Sequence, residues 1–337
     1  METHDSAQVA HAVMCNRHSA AIACLAFGLA ALVPAASAVC TPFNGTSTLS
    51  GTSAYDCIIV NGTLTISGSV TCASSVIVNG TLNVTGKLNA GSITINGSGV
   101  VAMDGVASLG DVNVNGRLTV AGVVTASALD VHGSIDIEPD GVLTLTGAGD
   151  QTSSVTGFVN LEGEGATLAF TTWSHTFSGQ GGIRGRDGGA VIDVGSGITL
   201  VNTGTIAGAL TIQGAGTFVN QGAVDADTSG VLLLTVSTVG DSSGSGRWEA
   251  TDAGATLRFS DPSGEDIDAF GWMAGEFLLT AGAVEFNSPL STSGRLVMSG
   301  GLLKANANVA MGDDVTAYAE VTGGAIQVAA GATFTHD

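Results

Sequence analysis

The chain has 337 residues, 50 of them glycine, with 29 acidic against 9 basic residues and a net charge of −20. A surface that acidic repels nucleic acid and anionic membranes, which removes both from the partners to be considered. Prolines number 5 and aromatics make up 5 %, whereas Val, Ile, Leu and Thr are plentiful, so the composition excludes disorder and indicates an all-β chain with many tight turns.

At the N-terminus, Arg17 and His18 precede an apolar run from Ala20 to Val33, and Pro34 and Ala36-Ser37-Ala38 follow. A basic start, a short apolar stretch and a small-x-small site predict a secretory signal over residues 1–38, cleaved after Ala38. Residues 14–38, beginning at Met14, already make a signal of ordinary length. The apolar run of about fourteen residues falls short of the roughly twenty that a spanning helix needs. No other segment is long and apolar enough, so no membrane insertion of the mature chain is expected. Lipidation of Cys40 is disfavoured by the bulk of Val39 before it. The expected location is secreted, extracellular or on the outer surface of a bacterial cell.

The mature chain keeps 27 acidic and 8 basic residues and three cysteines, Cys40, Cys57 and Cys72. An odd number in an oxidising compartment predicts one disulfide and one thiol left over. Their spacing matches no zinc pattern, and His132, His175 and His336 are scattered. Residues 39–57, holding Cys40 and Pro42, are expected to form an N-terminal cap over the first repeat.

From residue 58 the chain repeats. Asn-Gly recurs at Asn61, Asn79, Asn96 and Asn115, and His132-Gly133 fills the next slot, at intervals of 18, 17, 19 and 17. Apolar residues stand at −3, −1, +3 and +5 from each of these five positions, in 19 of 20 cases; Ile58, Val60, Leu64 and Ile66 around Asn61 are one set. The exception is Gly99. All four offsets are odd, so the apolar residues share one strand face, while Thr63, Thr65, Thr81, Asn83 and Thr119 take the other. One such unit cannot bury its apolar face alone, and stacking units at about 4.8 Å joins the faces into one core. An antiparallel meander with Asn-Gly hairpins is the rival. Because the same Asn returns once per repeat in the same sense, the pattern favours a right-handed parallel β-helix, a β-solenoid with rungs of about 18 residues. Regular rungs are expected over 58–150 and a less regular continuation over 151–337. About sixteen rungs would give a rod of about 75–80 Å. Against that template Cys57 and Cys72 stand three positions out of register, too far apart to bond, so Cys40 is expected to take one of them, Cys57 by preference.

The second half alters the theme. Leu200-Val201-Asn202-Thr203-Gly204 and Phe218-Val219-Asn220-Gln221-Gly222 are eighteen residues apart, and Phe158-Val159-Asn160 is a partial third copy. Their apolar neighbours sit at −2 and +4, which turns the asparagines inward and predicts a short ladder of stacked amides. The phrase Gly-Ala-Thr-Leu-x-Phe at Gly165 and Gly254, and in shorter form at Gly331, reads as a turn opening a strand. Residues 150–200 are expected to bulge from the stack.

These Val-Asn-x-Gly units and Gly-Ala-Thr-Leu-x-Phe strands, over residues 57–337, resemble the passenger regions of autotransporter and filamentous-haemagglutinin-type adhesins. The resemblance implies a right-handed β-helix displayed outside the cell, attaching to a glycan or protein of a host or neighbouring-cell surface. Neither a C-terminal membrane barrel nor an Asn-Pro-Asn-type secretion module is apparent in the sequence.

β-Helices also carry polysaccharide lyases and glycosidases, whose chemistry needs two carboxyls across a groove. Asp136, Glu138 and Asp140 alternate on one strand face and are read as a solvated outward row. A lyase for acidic sugars also wants more basic residues than this chain has. Gly181–Gly189, holding Arg184, Arg186 and Asp187, is read as an exposed loop. Asp261, Glu265, Asp266 and Asp268 could gather around Ca²⁺, but an acidic turn leading to Phe270 and Trp272 is the simpler reading. Trp173, Trp248 and Trp272 are read as packing residues rather than sugar platforms, and Thr63-Thr65, Thr144-Thr146 and Thr203-Thr205 as pairs too scattered for an ice-binding array. No catalytic, cofactor-binding or metal-binding residue is therefore assigned, and a non-enzymatic interaction protein is expected, with a carbohydrate-active enzyme or a carbohydrate- or calcium-binding module as alternatives.

Overall fold

The computed structural model describes residues 39–240, 246–260, 275–292, 295–311 and 319–336. The predicted signal and the acidic stretch 261–268 with Phe270 and Trp272 lie outside them. Within the described residues there are 37 strands, in three sheets, and each pairs parallel to the strand one rung away, as in Cys40–Phe43 on Cys57–Val60, Thr63–Ile66 on Thr81–Val84 and Val142–Leu145 on Thr167–Phe170. The meander is thereby excluded. The chain is a parallel β-helix.

Each rung has three strands, one per face. In the first rung these are Cys40–Phe43, Thr46–Leu49 and Thr52–Tyr55. In early rungs the third face runs on into the first face of the next rung, as in the ten-residue strand Ser69–Val78, which breaks register between Cys72 and Ser75. Alternation places every second residue inside: Leu64, Ile66, Leu82 and Val84 are fully buried while Thr63, Thr65, Thr81 and Asn83 between them are only partly so.

Register on the second face sets the rung length. Thr46 lies beside Thr63, Thr63 beside Thr81, Thr81 beside Val100, Val100 beside Arg117 and Arg117 beside Ser134, steps of 17, 18, 19, 17 and 17 along the chain. Beyond Ser134 the spacing becomes 24, 24 and 23, returns to 18 at Ala223, and then runs 24, 29, 19 and 23. The longer rungs leave fourteen strands on this face among the described residues rather than the sixteen expected, a stack of about 60–65 Å at ~4.8 Å per rung. The strands themselves stay four or five residues long and in register through 150–200. That region does not leave the stack. The added residues lengthen the corners, where Gly149, Gly163, Gly165, Gly188, Gly189 and Gly197 take positive φ.

The segment expected as a cap is a rung in its own right. Cys40–Phe43 pairs with the strand above it and carries the Cys40–Cys57 disulfide, while Cys72 is free and buried. Its inward positions hold Thr41, Ser47 and Ser53 where the next rung has Ile58, Leu64 and Val70. Phe43, Leu49 and Tyr55 complete it by packing against the core.

Asn-Gly marks a corner, as the sequence indicated, and the glycine is there for lack of space. A Cβ on Gly80 would stand 2.2 Å from the Gly62 carbonyl oxygen, and one on Gly133 would stand 1.9 Å from that of Gly116. Real side chains do not fit at such distances, so the column must be glycine wherever rungs stack tightly.

Candidate functional site

The residues singled out from sequence are spread along the stack. Asp136 is on the second-face strand Ser134–Ile137 and points outward, since Ile135 and Ile137 fill the interior. It is not solvated, however: only 5 % of it is exposed. Arg117 Nε, one rung away, donates to Oδ2 at 2.6 Å, and Asn160 Nδ2, one rung on the other side, donates to Oδ1 at 2.6 Å. Both carboxylate oxygens are thus occupied in a three-rung clamp, which explains the burial. Asn160 belongs to this clamp and not to the inward amide ladder.

Glu138 and Asp140 belong to the corner between the second and third faces. Asp140 has φ 62° and its N–H donates to the Glu164 carbonyl at 3.2 Å. The corners of three successive rungs form a shallow concavity of about 620 Å³ lined by Pro139, Glu162, Gly163, Glu164, Asp187, Gly188 and Gly189. Burial pushes the Glu162 carboxyl above its ordinary range, Arg186 at 3.4 Å opposes this, and Asp136, Glu138 and Asp187 add to the rise. The concavity is acidic and wide open, able to attract cations weakly. No group of three or more His, Cys, Asp or Glu among the described residues is placed to hold a metal ion.

The stretch 181–189 is not all loop. Gly182–Gly185 is a strand of the second face with Ile183 fully buried; only the residues after it turn. Alternation inside a glycine-rich segment hides such a strand. Arg184 points outward and lies over the Phe158 ring, 4.7 Å from its centroid.

Other bases are held in ion pairs. Arg258 and Lys304 flank Glu285 at 2.7 and 3.6 Å, Arg295 reaches Glu276 at 3.4 Å and Glu320 at 3.6 Å, and Arg247 pairs with Glu249 on its own strand. With Arg117 on Asp136 and Arg186 on Glu162, six of the 8 bases after residue 38 sit in ion pairs. They are committed to the stack, which leaves the surplus of carboxylates to set the surface field.

The tryptophans divide. Trp248 is fully buried against Phe218, Phe259 and Phe277, as expected of a packing residue. Trp173 is not: it is 57 % exposed at a corner, with φ 61°. A bulky side chain in the left-handed region is unusual and marks this turn as strained.

No protein-family model, curated protein or solved structure matches the chain. The functional reading therefore rests on the residues themselves.

Two features escape the sequence reading. Thr46 and Thr48 stand in register beneath Thr63 and Thr65, with Thr81 and Asn83 above, so one threonine pair does belong to an ordered patch of three rungs. And Asn44 extends the corner asparagines downward into a hydrogen-bonded column: Asn61 Nδ2 donates to Asn44 Oδ1 at 2.8 Å, Asn79 to Asn61 at 2.7 Å, and Asn96 to Asn79. The identical residue at each corner is the available signal, but Asn-Gly announces its turn and not the use of its amide. The inward ladder forms as predicted between Asn202 and Asn220, joined at 3.0 Å and both fully buried.

Proposed function

We propose that the chain is a secreted or cell-surface attachment protein that binds a glycan or protein of a host or neighbouring-cell surface through its outward rows, without bond cleavage, in the manner of the adhesin passenger regions it resembles. The observation that carries this reading is the repetition of the outer surface in register. Thr46, Thr63 and Thr81 form one row on the second face, and Val106, Val123 and Val142 another on the third. Val106 and Val123 are 50 and 46 % exposed, more than a β-helix needs for its own core. Rows of methyls and hydroxyls at ~4.8 Å intervals suit an extended, repetitive partner. The commitment of most bases to ion pairs favours a neutral partner over an anionic one.

The test is binding of residues 39–337 to a glycan array with and without Ca²⁺, with bond cleavage followed in parallel. Selective binding without cleavage supports the attachment reading. Shortened sugars would replace it with an enzyme and make the carboxylates near Asp136 and Asp261 the first to substitute. Binding that vanishes without Ca²⁺ would favour a cation-dependent module centred on the acidic corner, and silence throughout would remove glycans as partners.

A further inference from the structure

Five Asn-Gly pairs occupy one corner of the helix: Asn44, Asn61, Asn79, Asn96 and Asn115, each followed by glycine. An asparagine before glycine is prone to an internal reaction, because no side chain shields the glycine nitrogen and its backbone can swing toward the asparagine amide. The stack does not treat the five alike.

Three are closed. The Gly62 N–H donates to the Phe43 carbonyl at 2.9 Å, Gly80 to Val60 at 2.9 Å and Gly116 to Ile95 at 3.1 Å. A Cβ on any of these glycines would meet a carbonyl oxygen of the rung below at 2.2–2.3 Å, so the backbone has no room to move. The amides of Asn61 and Asn79 are also held on both sides within the column, and that of Asn115 donates to Asn113 at 2.8 Å.

Two are open. Around Gly45 and Gly97 nothing lies within 4 Å of such a Cβ, and both residues are exposed. Gly99 N–H closes a turn on the Asn96 carbonyl at 2.7 Å, which leaves Gly97 at its tip. Asn44 and Asn96 are the two ends of the amide column, each bonded to one neighbour in it.

We infer that Asn44 and Asn96 are sites of spontaneous deamidation, and that stacking protects Asn61, Asn79 and Asn115. The Gly97 nitrogen gives up its proton to solvent base and attacks Asn96 Cγ, forming a five-membered succinimide. The Cγ–Nδ2 bond breaks and ammonia leaves with a proton from water. Water then opens the ring at either carbonyl, giving aspartate or isoaspartate. Gly45 and Asn44 react in the same way.

The column is directional, so the two products differ in consequence. Every amide in it donates toward Asn44. A carboxylate at position 44 still accepts from Asn61 Nδ2, now as a charge-assisted bond. A carboxylate at position 96 has no proton to give, and faces the Asn79 carbonyl oxygen across a lost hydrogen bond.

The test is peptide mapping by mass spectrometry of residues 39–337 held folded at mildly alkaline pH, beside the same chain in denaturant. The folded chain should gain one mass unit at Asn44 and Asn96, with the other three slower by about tenfold or more, the rate equivalent of first breaking one backbone hydrogen bond. All five should react at comparable rates in denaturant. Uniform conversion in the folded chain, or Asn61 or Asn79 reacting first, would overturn the inference. Asn44→Asp and Asn96→Asp test its direction separately: the first should leave the melting temperature unchanged or raised and the second should lower it. Equal shifts would contradict the directional column.

Discussion

Between Cys57 and Ile137 the rungs are short and their interior is mostly Val, Ile and Leu, with alanines, Met103 and cysteines but no aromatic ring among the buried residues. Neighbours one rung apart there are separated by 17 to 19 along the chain, as in Asn61 on Asn44, Asn79 on Asn61 and Val100 on Thr81. Between Phe158 and Phe286 the rungs are mostly longer, with separations of 24 from Asn160 to Asp136, 26 from Thr251 to Asp225 and 27 from Arg258 to Glu285. The interior of that half holds Phe170, Phe177, Phe218, Trp248, Phe259, Phe277 and Phe286, many in ring–ring contact. The amide columns differ too, lying outside at Asn44–Asn96 and inside at Asn202–Asn220. On the second face the same four-residue strand serves both halves. What changes over most of the stack is the corner: the longer corners accompany an interior with aromatic rings, while Phe218 and the buried amides Asn202 and Asn220 sit where the spacing is again 18. Rung length and core composition therefore change together over most of the stack, with the rung at Asn202 and Asn220 the exception.

Substitutions can break that comparison in order of effect. The largest loss is predicted for Val114→Asp, which puts an unpaired carboxylate into a dry aliphatic rung and should cost several kcal/mol, on the order of 4 or more. Denaturant melts should show adjacent rungs lost together; an unchanged midpoint would mean Val114 is not interior. Next, Trp248→Ala should cost about 3–5 kcal/mol and Ile135→Val about 0.5–1.5. Equal losses in calorimetry would show that the aromatic half is not packed around its rings. Asn220→Ala leaves the Gly222 N–H and the Arg247 carbonyl without their side-chain partners inside the stack, a predicted loss of about 1–3 kcal/mol. The half-buried, outward-facing Asn79→Ala should lose under about 1 kcal/mol; a reversed order in urea titrations would refute the inside–outside distinction.

The smallest effect is one of pH. His175 is fully buried, with Nε2 3.0 Å from the Thr172 carbonyl, and burial pulls its pKa below the ordinary value. The folded state thus favours neutral imidazole. Its contribution is present above the unfolded pKa of about 6.5 and lost as pH falls below it. The melting temperature should drop between pH 7 and 5, and less so in His175→Phe. An identical drop in both proteins would assign the acid sensitivity elsewhere.

Much of the fold is legible in the sequence because β-helix rungs impose period two within a strand and a near-constant interval between rungs. The offsets around Asn61, Asn79, Asn115 and His132 report both, and inverted neighbours around Asn202 and Asn220 report the inward amides. Beyond residue 134 the interval varies with corner length, which no residue type encodes, so the sequence overstates the number of rungs. Gly182–Gly185 stays hidden because glycine carries no apolar signal even where its strand is buried. Asp136 looks solvated from sequence because alternation gives direction but not cover. The partners that bury it, Arg117 and Asn160, stand at sequence separations of 19 and 24 on the rungs to either side.

The most direct test of the unequal rungs is disulfide trapping of register partners. Thr65 faces Asn83 in the early half, and Val142 faces Thr167 at the onset of the longer rungs. Parallel strands hold each pair at a separation a disulfide can span. Double substitution to cysteine should give intramolecular cross-links for both pairs and none for the mismatched pair Thr65 with Thr167. Cross-linking confined to the pair at Thr65 and Asn83 would show that the stack does not continue through the longer rungs, and a single continuous β-helix would be wrong.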